Sequence, residues 1–319
     1  MAVIEPLPIL QVADIEPRDP GQDWLIQQLW GRAAVGFVAG APKAWKSWLA
    51  LDMAVSVASG TACLGRFHVD DVGPALVYLA EDHLAAVRQR VEGLCDHRGL
   101  DLEPLDLHVI AAPSLRLDLP ADLQRLDQAL QQLRPRLLVL DPLVRLHRCD
   151  ENSSADVSAM LGALRELNRR HDVAIVVVHH MSKKARAHLG QALRGSGDLH
   201  AWTDSACYLV HRGKGDLQLT VEHRAGPAPE PMRLRLVDDD EGIRLQLGGL
   251  APPAPPLTEA VREALRDADG PRTRAALRTL LAVNNARLGQ ALQELEHRGL
   301  AIRDSKGWTL GPPQLSLVE

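Results

Sequence analysis

The sequence has 319 residues, a net charge of −5 and an apolar fraction of 46%. This length accommodates one large α/β domain with a smaller appended domain, or two ordinary domains, and exceeds what a single minimal domain needs. The negative net charge argues against a protein that coats nucleic acid or anionic membranes by bulk attraction, so any contact with a polyanion must be local.

The cysteines are consistent with a reducing cytoplasm, and the N-terminus does not resemble an export signal. Cys63, Cys95, Cys149 and Cys207 are scattered without C-x-x-C spacing, which favours neither a disulfide framework nor a zinc site. The N-terminus lacks a charged segment followed by an apolar core, and no run reaches the ~20 apolar residues of a membrane span. We therefore expect a soluble, cytoplasmic protein with no membrane partner.

The first part of the chain predicts an α/β fold. Residues 1–30 mix Pro, Asp and Gln and predict an extended arm that ends in a short segment near Trp24 to Trp30. From Ala33 onward, apolar runs of strand length alternate with longer amphipathic stretches; the runs are AVGFVAG, PALVYLAED, LDLHVIAAP, RLLVLDPL, VAIVVVHHM and SACYLVHR. Strands that are apolar throughout indicate a mostly parallel sheet with helices on both faces. This domain is assigned to residues 31–247.

The remainder of the chain predicts a second, smaller domain. The stretch after SACYLVHR alternates polar and apolar residues and predicts antiparallel strands at the sheet edge. Residues 248–256, GGLAPPAPP, read as a linker because Pro and Gly cluster there without periodicity. Residues 257–319 show three helical segments and a short strand pair, the order of a winged helix.

The stretch GFVAGAPKAWKS nearly matches the phosphate-binding pattern G-x-x-x-x-G-K-[ST]. Gly40, Lys46 and Ser47 fall in register, but Trp45 stands where the pattern has its second glycine. An apolar strand precedes the loop and a helix with Leu49 and Met53 on one stripe follows it. The predicted nucleotide-binding segment consists of Gly40, Ala41, Pro42, Lys43, Ala44, Trp45, Lys46, Ser47 and Trp48.

This context predicts binding of ATP with Mg²⁺. The loop N–H groups and the helix dipole would hold the β-phosphate, Lys46 would reach the β and γ oxygens, and Ser47 would ligate Mg²⁺. The alternative is a strand–turn–helix without a ligand.

Trp45 allows two interpretations. A left-handed backbone at this position costs a non-glycine residue about 1–2 kcal/mol, which a well-packed loop tolerates. The backbone N–H that binds phosphate is kept in either case, and the indole can point outward. In the other interpretation the indole fills the loop and excludes ATP.

Carboxylates follow two other predicted strands, where the chemistry of open parallel sheets collects. Glu81 is our predicted catalytic base, positioned to deprotonate the water that attacks the γ-phosphate; the alternative is that Glu81 and Asp82 cap the next helix. Asp141 ends a hydrophobic strand that matches a Walker B strand and would hold Mg²⁺, against the alternative of a turn-forming Asp-Pro.

The strand VAIVVVHH ends in His179 and His180, where a polar group can contact the γ-phosphate or the catalytic water. Either His179 or His180 could be the sensor. We choose His179, and His180 is alternatively a core histidine. The stretch that follows is basic, and a flexible basic loop can contact a DNA backbone; alternatively its charges are simply solvated. The predicted nucleic-acid contacts are Lys183, Lys184, Arg186 and Arg194.

Taken together, GAPKAWKS, VYLAEDH, the stretch from LLVLDPLVRLHR to VVVHHMSKKA, and LRGSGDLHAWTDSACYLV resemble the RepA-like branch of RecA-fold ATPases, which includes plasmid replicative helicases. The resemblance covers residues 20–245. It implies a homo-oligomeric ring, with a hexamer expected, in which ATP lies between subunits and an arginine from the neighbour completes the site. Arg212 is the best match for that arginine, with Arg194 and Lys214 as alternatives. Trp45 and the C-terminal domain depart from the family pattern.

Three functions are consistent with these features. The first is an oligomeric ATP-driven DNA motor, a helicase or translocase of replication or mobile elements that holds single-stranded DNA. The second is an ATP-gated DNA-binding regulator that acts through the winged helix, whose helix near residues 284–298 would enter a major groove or dock a protein; its candidate contacts are Asn284, Asn285, Arg287 and Gln290. The third is a scaffold whose loop no longer binds ATP.

Overall fold

The computed structural model describes residues 7, 9–15, 23–149, 154–181, 198–213, 216–239, 242–250, 257–268, 270–281, 283 and 285–311. Contacts divide the described residues into two compact units, one up to Leu250 and one from Leu257 onward. Within these residues, no helix is both long enough and apolar enough to cross a membrane.

The first unit is built around a large sheet. After a 3₁₀ turn at Val12–Asp14, its elements are β1 (Trp24–Ile26), β2 (Trp30–Gly31), β3 (Val35–Gly40), α1 (Lys46–Ser59), β4 (Ala75–Leu79), α2 (Leu84–Arg98), β5 (Leu107–Val109), α3 (Pro120–Leu133), β6 (Leu137–Asp141), α4 (Ser154–His171), β7 (Ala174–His180), α5 (Asp198–Trp202), β8 (Ser205–His211), β9 (Asp216–His223), β10 (Met232–Asp239) and β11 (Gly242–Leu250).

Nine strands form one mixed sheet in the order β11-β10-β9-β8-β3-β7-β6-β4-β5. Six neighbouring strands are parallel, in the sheet order β8-β3-β7-β6-β4-β5. The other three, β9, β10 and β11, extend the sheet beyond β8 in antiparallel pairs. From β3 the chain runs to β4, toward the β5 edge of the sheet. From β7 it passes β3 to reach β8, toward the β11 edge, so the direction of strand addition reverses beside β3. Ligands of open parallel sheets bind at such a reversal, outside the carboxyl ends of the strands.

The central strands are buried on both faces, which explains their uninterrupted apolar sequence. Every residue of β3, β4 and β6 is buried, and α1 packs its stripe of Leu49, Met53 and Val57 into the same core. The predicted α/β fold with a mostly parallel, helix-flanked sheet and an antiparallel edge is thereby confirmed.

The segment near Trp24 to Trp30 contributes to this core. β1 and β2 form an antiparallel pair, and Leu25, Ile26, Leu29 and Trp30 are fully or almost fully buried in the main cluster. The predicted boundary at residue 30, like the other domain boundaries, stays a prediction.

The second unit has a core of its own. Its described elements are α6 (Leu257–Arg266), α7 (Arg274–Leu281), α8 (Asn285–His297), β12 (Ala301–Arg303) and β13 (Trp308–Leu310), the two strands forming an antiparallel pair. The buried residues are apolar: Val261, Leu265, Leu277, Leu288, Ala291, Leu292, Leu295, Ala301 and Trp308. The element order is the one expected from the sequence, and the assignment to the winged-helix class remains a prediction.

Candidate active site

The loop between β3 and α1 begins at a position that requires glycine. A Cβ atom at Gly40 would lie 2.7 Å from the Leu209 carbonyl oxygen of β8, closer than real side chains approach. The chain therefore passes close to β8 before it turns. Six residues after Gly40, α1 begins at Lys46, with its first N–H groups facing the loop.

Two residues of this loop have a left-handed backbone. The φ angles of Lys43 and Trp45 are 64° and 53°. Alternation of right- and left-handed residues turns successive N–H groups toward one side, which is how a backbone concavity binds an anion. The N–H groups of Lys43, Trp45, Lys46 and Ser47 donate to no backbone carbonyl of the described residues. The loop thus presents free donors as a phosphate cradle does.

Trp45 adopts the conformation for which glycine is normally used. It precedes α1 with φ 53° and ψ 31°, and its partly buried side chain packs against the main core. A left-handed non-glycine residue costs about 1–2 kcal/mol, which this packing offsets. The substitution therefore changes the side chain of the loop and keeps its backbone conformation.

Lys46 is a buried cation. The residue is 6% exposed, and its Nζ atom donates to the Ala41 carbonyl at 2.9 Å. Burial lowers the pKa of the Lys46 ammonium, while the nearby carboxylates of Asp141 and Glu81 oppose that shift. A desolvated ammonium with one carbonyl acceptor among the described residues is suited to a further anionic partner.

Asp141 lies at the end of β6 with one oxygen unsatisfied. The residue is 6% exposed, and its buried Oδ2 atom has no hydrogen-bond partner among the described residues. Burial raises the pKa of the Asp141 carboxyl to about 6, although a hydrogen bond from the Ser47 hydroxyl opposes the rise. A buried carboxylate beside a hydroxyl is an oxygen donor set that fits Mg²⁺.

Glu81 and Asp82 follow β4, and each pairs with an arginine. Arg145 Nε donates to Glu81 Oε1 at 2.7 Å. Both terminal nitrogens of Arg90 donate to the Asp82 carboxylate, at 2.7 and 3.0 Å. The alternative in which these acids cap the next helix is not observed, since α2 follows His83 and has no side-chain capping bond.

The two histidines that end β7 face different surroundings. His179 is 2% exposed and packs against Phe37, with ring centroids 5.7 Å apart. His180, paired in register with Gly40, lines the cavity at the loop. The structure therefore brings His180, and not the predicted sensor His179, to the cavity.

One cavity of about 220 Å³ brings the loop and the strand ends together. Its lining residues come from the loop, α1, α2 and the ends of β4, β6 and β7: Lys43, Ala44, Trp45, Lys46, Ser47, Trp48, Glu81, Arg90, Asp141, Pro142 and His180. Cationic, hydroxyl and carboxylate groups thus converge at the carboxyl edge of the sheet.

The remaining predicted site residues lie elsewhere. Arg212 is exposed after β8, where its Nε atom donates to Gln218 Oε1 at 2.6 Å. Lys183, Lys184, Arg186 and Arg194 lie outside the described residues, as do Lys214 and Asn284.

Two arginines near the site were missed from the sequence. Arg90 lines the cavity and lies over the Trp48 ring, 5.6 Å from its centroid, and Arg145 holds Glu81. The sequence carries only weak signals for these contacts: Arg90 stands eight residues after Asp82, and Arg145 stands four residues after Asp141. Neither spacing by itself identifies a partner.

The chain is similar to known proteins in sequence and in fold. A family model described as an AAA domain matches residues 3–186, more than half of the chain. A crystal structure of the RadB recombinase superposes with a TM-score of 0.49 at 18% identity, covering 67% of this chain and 90% of that one.

A DnaB-like replicative helicase, solved in a study of its interactions with primase, superposes with a TM-score of 0.51 at 15% identity, over 67% of this chain and 59% of that chain. At this identity the likeness shows the fold alone, which is RecA-like. The chain belongs to the AAA domain family, and it is a P-loop NTPase with a RecA-like fold.

Proposed function

We propose that this protein is an oligomeric ATP-hydrolysing DNA motor, a helicase or translocase of the RepA-like branch that acts in the cytoplasm on replicating or mobile DNA. The observation that carries the ATPase part is the convergence of Lys46, the Ser47–Asp141 pair and Glu81 on one cavity. A buried cation and a buried carboxylate, one of whose oxygens has no hydrogen-bond partner among the described residues, lie at one edge of the sheet. Such groups lower stability and suit a nucleotide site.

Each residue has a role that its position supports. The loop N–H groups and Lys46 would hold the β- and γ-phosphates, and Ser47 and Asp141 would hold Mg²⁺, which would supply positive charge to the phosphate oxygens. Glu81 accepts the proton of the attacking water. Of the two candidate sensors, His180 lines the cavity and is our choice for that role in place of His179.

The proposed ring would bring an arginine of one subunit to the site of the next. Arg212 of one subunit would reach the site of its neighbour and stabilise charge in the transition state, so hydrolysis depends on assembly. We expect a hexamer. Single-stranded DNA would be contacted by the basic residues Lys183, Lys184, Arg186 and Arg194. The affinity for DNA would then fall as the salt concentration rises.

The test is ATP hydrolysis with and without single-stranded DNA, measured together with strand unwinding. We expect stimulation by DNA in the wild type, and loss of hydrolysis in Lys46→Ala and in Glu81→Gln. Hydrolysis that is indifferent to DNA, with no unwinding, would contradict the motor.

A second function is favoured by the separate core of the 257–311 unit. If this unit is a winged helix, the ATPase could act as a switch that gates duplex binding without unwinding. Duplex binding that survives Lys46→Ala and is lost when exposed residues of α8, Arg287 and Gln290, are replaced would favour this regulator.

A further inference from the structure

Glu81 depends on one contact for its orientation. Its carboxylate accepts a hydrogen bond from Arg145 Nε at 2.7 Å through Oε1, and it forms no other hydrogen bond within the described part of the chain. The side chain is 52% exposed, so packing does not fix its rotamer. Without Arg145, the carboxylate would be free to rotate among several rotamers.

Arg145 is itself anchored through its backbone. It ends the 3₁₀ turn Leu143–Arg145, which follows Asp141 after one proline. Its carbonyl accepts a hydrogen bond from an Arg116 guanidinium nitrogen, which also donates to the His147 carbonyl at 3.4 Å. The next residue, Leu146, is fully buried. The backbone from which the Arg145 side chain extends is therefore held in place.

The geometry of the pair leaves one carboxylate oxygen for chemistry. Arg145 donates through Nε to Oε1 alone, so it does not occupy both oxygens as a bidentate pair would. Oε2 stays available to accept a proton. Because Asp141 and Arg145 belong to one short segment, the contact also fixes Glu81 relative to the carboxylate proposed to hold the metal.

We propose that Arg145 is a positioning residue for Glu81: it holds the carboxylate at the cavity through Oε1 and leaves Oε2 to accept the proton. This inference rests on the proposed function of Glu81 as the base. It predicts that Arg145 affects turnover and leaves substrate binding unchanged, since Arg145 does not line the cavity. Because exposed ion pairs are weak, the expected fall in kcat is about 2- to 5-fold.

The experiment measures kcat and KM for ATP in the full chain with Mg²⁺, in the wild type and in Arg145→Gln and Arg145→Lys. We expect kcat to fall in Arg145→Gln at constant KM and to be partly restored in Arg145→Lys, which keeps the charge and loses the planar fork. Arg148→Gln is the matched control. Arg148 is an exposed arginine three residues away whose side chain has no ion pair or hydrogen bond among the described residues, and its replacement should leave kcat unchanged.

Coupling between the two residues provides a second test. In Glu81→Asp the shorter carboxylate loses the contact, so adding Arg145→Gln should have little further effect on kcat. Equal kcat in the wild type, Arg145→Gln and Arg148→Gln would overturn the inference, and so would a change in KM alone or independent effects in the double variant.

The failure of the inference and that of the proposed function are distinguishable. If Glu81→Gln hydrolyses ATP at the wild-type rate, Glu81 is not the base, and the role of Arg145 fails with it. If Glu81→Gln is inactive while Arg145→Gln matches the wild type, the inference alone fails. Thermal unfolding of each variant, expected to match the wild type because both side chains are exposed, excludes a general loss of structure.

Discussion

The carboxyl edge of the large sheet and the second unit differ in what they bury. At the sheet edge, Lys46 and Asp141 are charged residues that are each 6% exposed, and burial shifts the pKa of each group against its ionised form. In the second unit, the buried residues among those described are all apolar.

This difference separates residues retained for chemistry from residues that hold the fold together. Burying an ionisable group lowers stability unless it gains a partner, so such groups mark binding or catalysis. An apolar cluster marks stability and says little about activity, because one fold serves many functions. The predictions below test this distinction, in order of decreasing effect.

Loss of the Lys46 ammonium should have the largest effect. In Lys46→Ala we expect ATP turnover to fall about 100- to 1,000-fold, the range for removing one preorganised group that stabilises transition-state charge. Stability should change much less than turnover, because the variant removes both the cost of burying a cation and the attraction of that cation to Asp141. Steady-state hydrolysis and thermal unfolding measure the two quantities. A turnover within a few-fold of the wild type would remove Lys46 from the site.

Truncation of the second core should act on stability instead. Leu288 of α8 is fully buried, and Leu288→Ala should destabilise the second unit by about 2–5 kcal/mol. Hydrogen exchange of α8 measures the loss. Gln290→Ala, an exposed change on the same helix, should stay within about 0.5 kcal/mol of the wild type. Equal protection of α8 in both variants would contradict the assigned core.

The Asp141 carboxyl should make stability depend on pH. Its folded-state pKa of about 6 lies above the ordinary 3.8, so the folded state favours the protonated form. The associated stabilisation is complete below about pH 4 and is lost as the pH rises through 6. Asp141→Asn removes this dependence and should be more stable than the wild type at pH 8 by about 1–3 kcal/mol, at about 1.36 kcal/mol per pKa unit.

Urea unfolding in a metal chelator at pH 8 and pH 4 measures this difference, which should disappear at the lower pH. A less stable Asp141→Asn at pH 8 would show that the carboxylate has a stabilising partner.

The smallest effect concerns the backbone of Trp45. Both Trp45→Gly and Trp45→Ala remove the indole, but the alanine keeps a Cβ atom at a φ of 53°. We expect the glycine variant to be more stable than the alanine variant by about 1 kcal/mol. Chemical denaturation of the pair isolates the backbone contribution. Higher stability of the alanine variant would mean that the loop rearranges when the indole is lost.

Much of the fold follows from the sequence because its signals are local. Each apolar run that predicted a strand contains one of the strands from β3 to β8. The central strands are buried on both faces and must be apolar throughout, whereas β5 lies at the edge of the sheet and is partly exposed. The loop was also predictable, because Gly40, Lys46 and Ser47 lie within eight residues. In contrast, the burial of Leu25, Ile26, Leu29 and Trp30 in the core depends on distant contacts, which the mixed composition of this segment does not indicate.

The side-chain partners within the site were less predictable. Which of His179 and His180 faces the loop depends on the register of β7 beside β3, and a shift of one residue would exchange them. The contact between Arg145 and Glu81 joins residues 64 positions apart. It arises because the carboxyl ends of β4 and β6 are neighbours in the sheet, which no local pattern encodes.

The central claim is that the loop binds a magnesium nucleotide with Trp45 in place of glycine. Calorimetric titration with a non-hydrolysable ATP analogue and Mg²⁺ tests it most directly, in the wild type, Lys46→Ala and Trp45→Gly. We predict saturable binding to the wild type and binding at least ~100-fold weaker in Lys46→Ala. No binding to the folded wild type, with binding recovered in Trp45→Gly, would contradict the account and identify a scaffold whose loop is blocked by the indole.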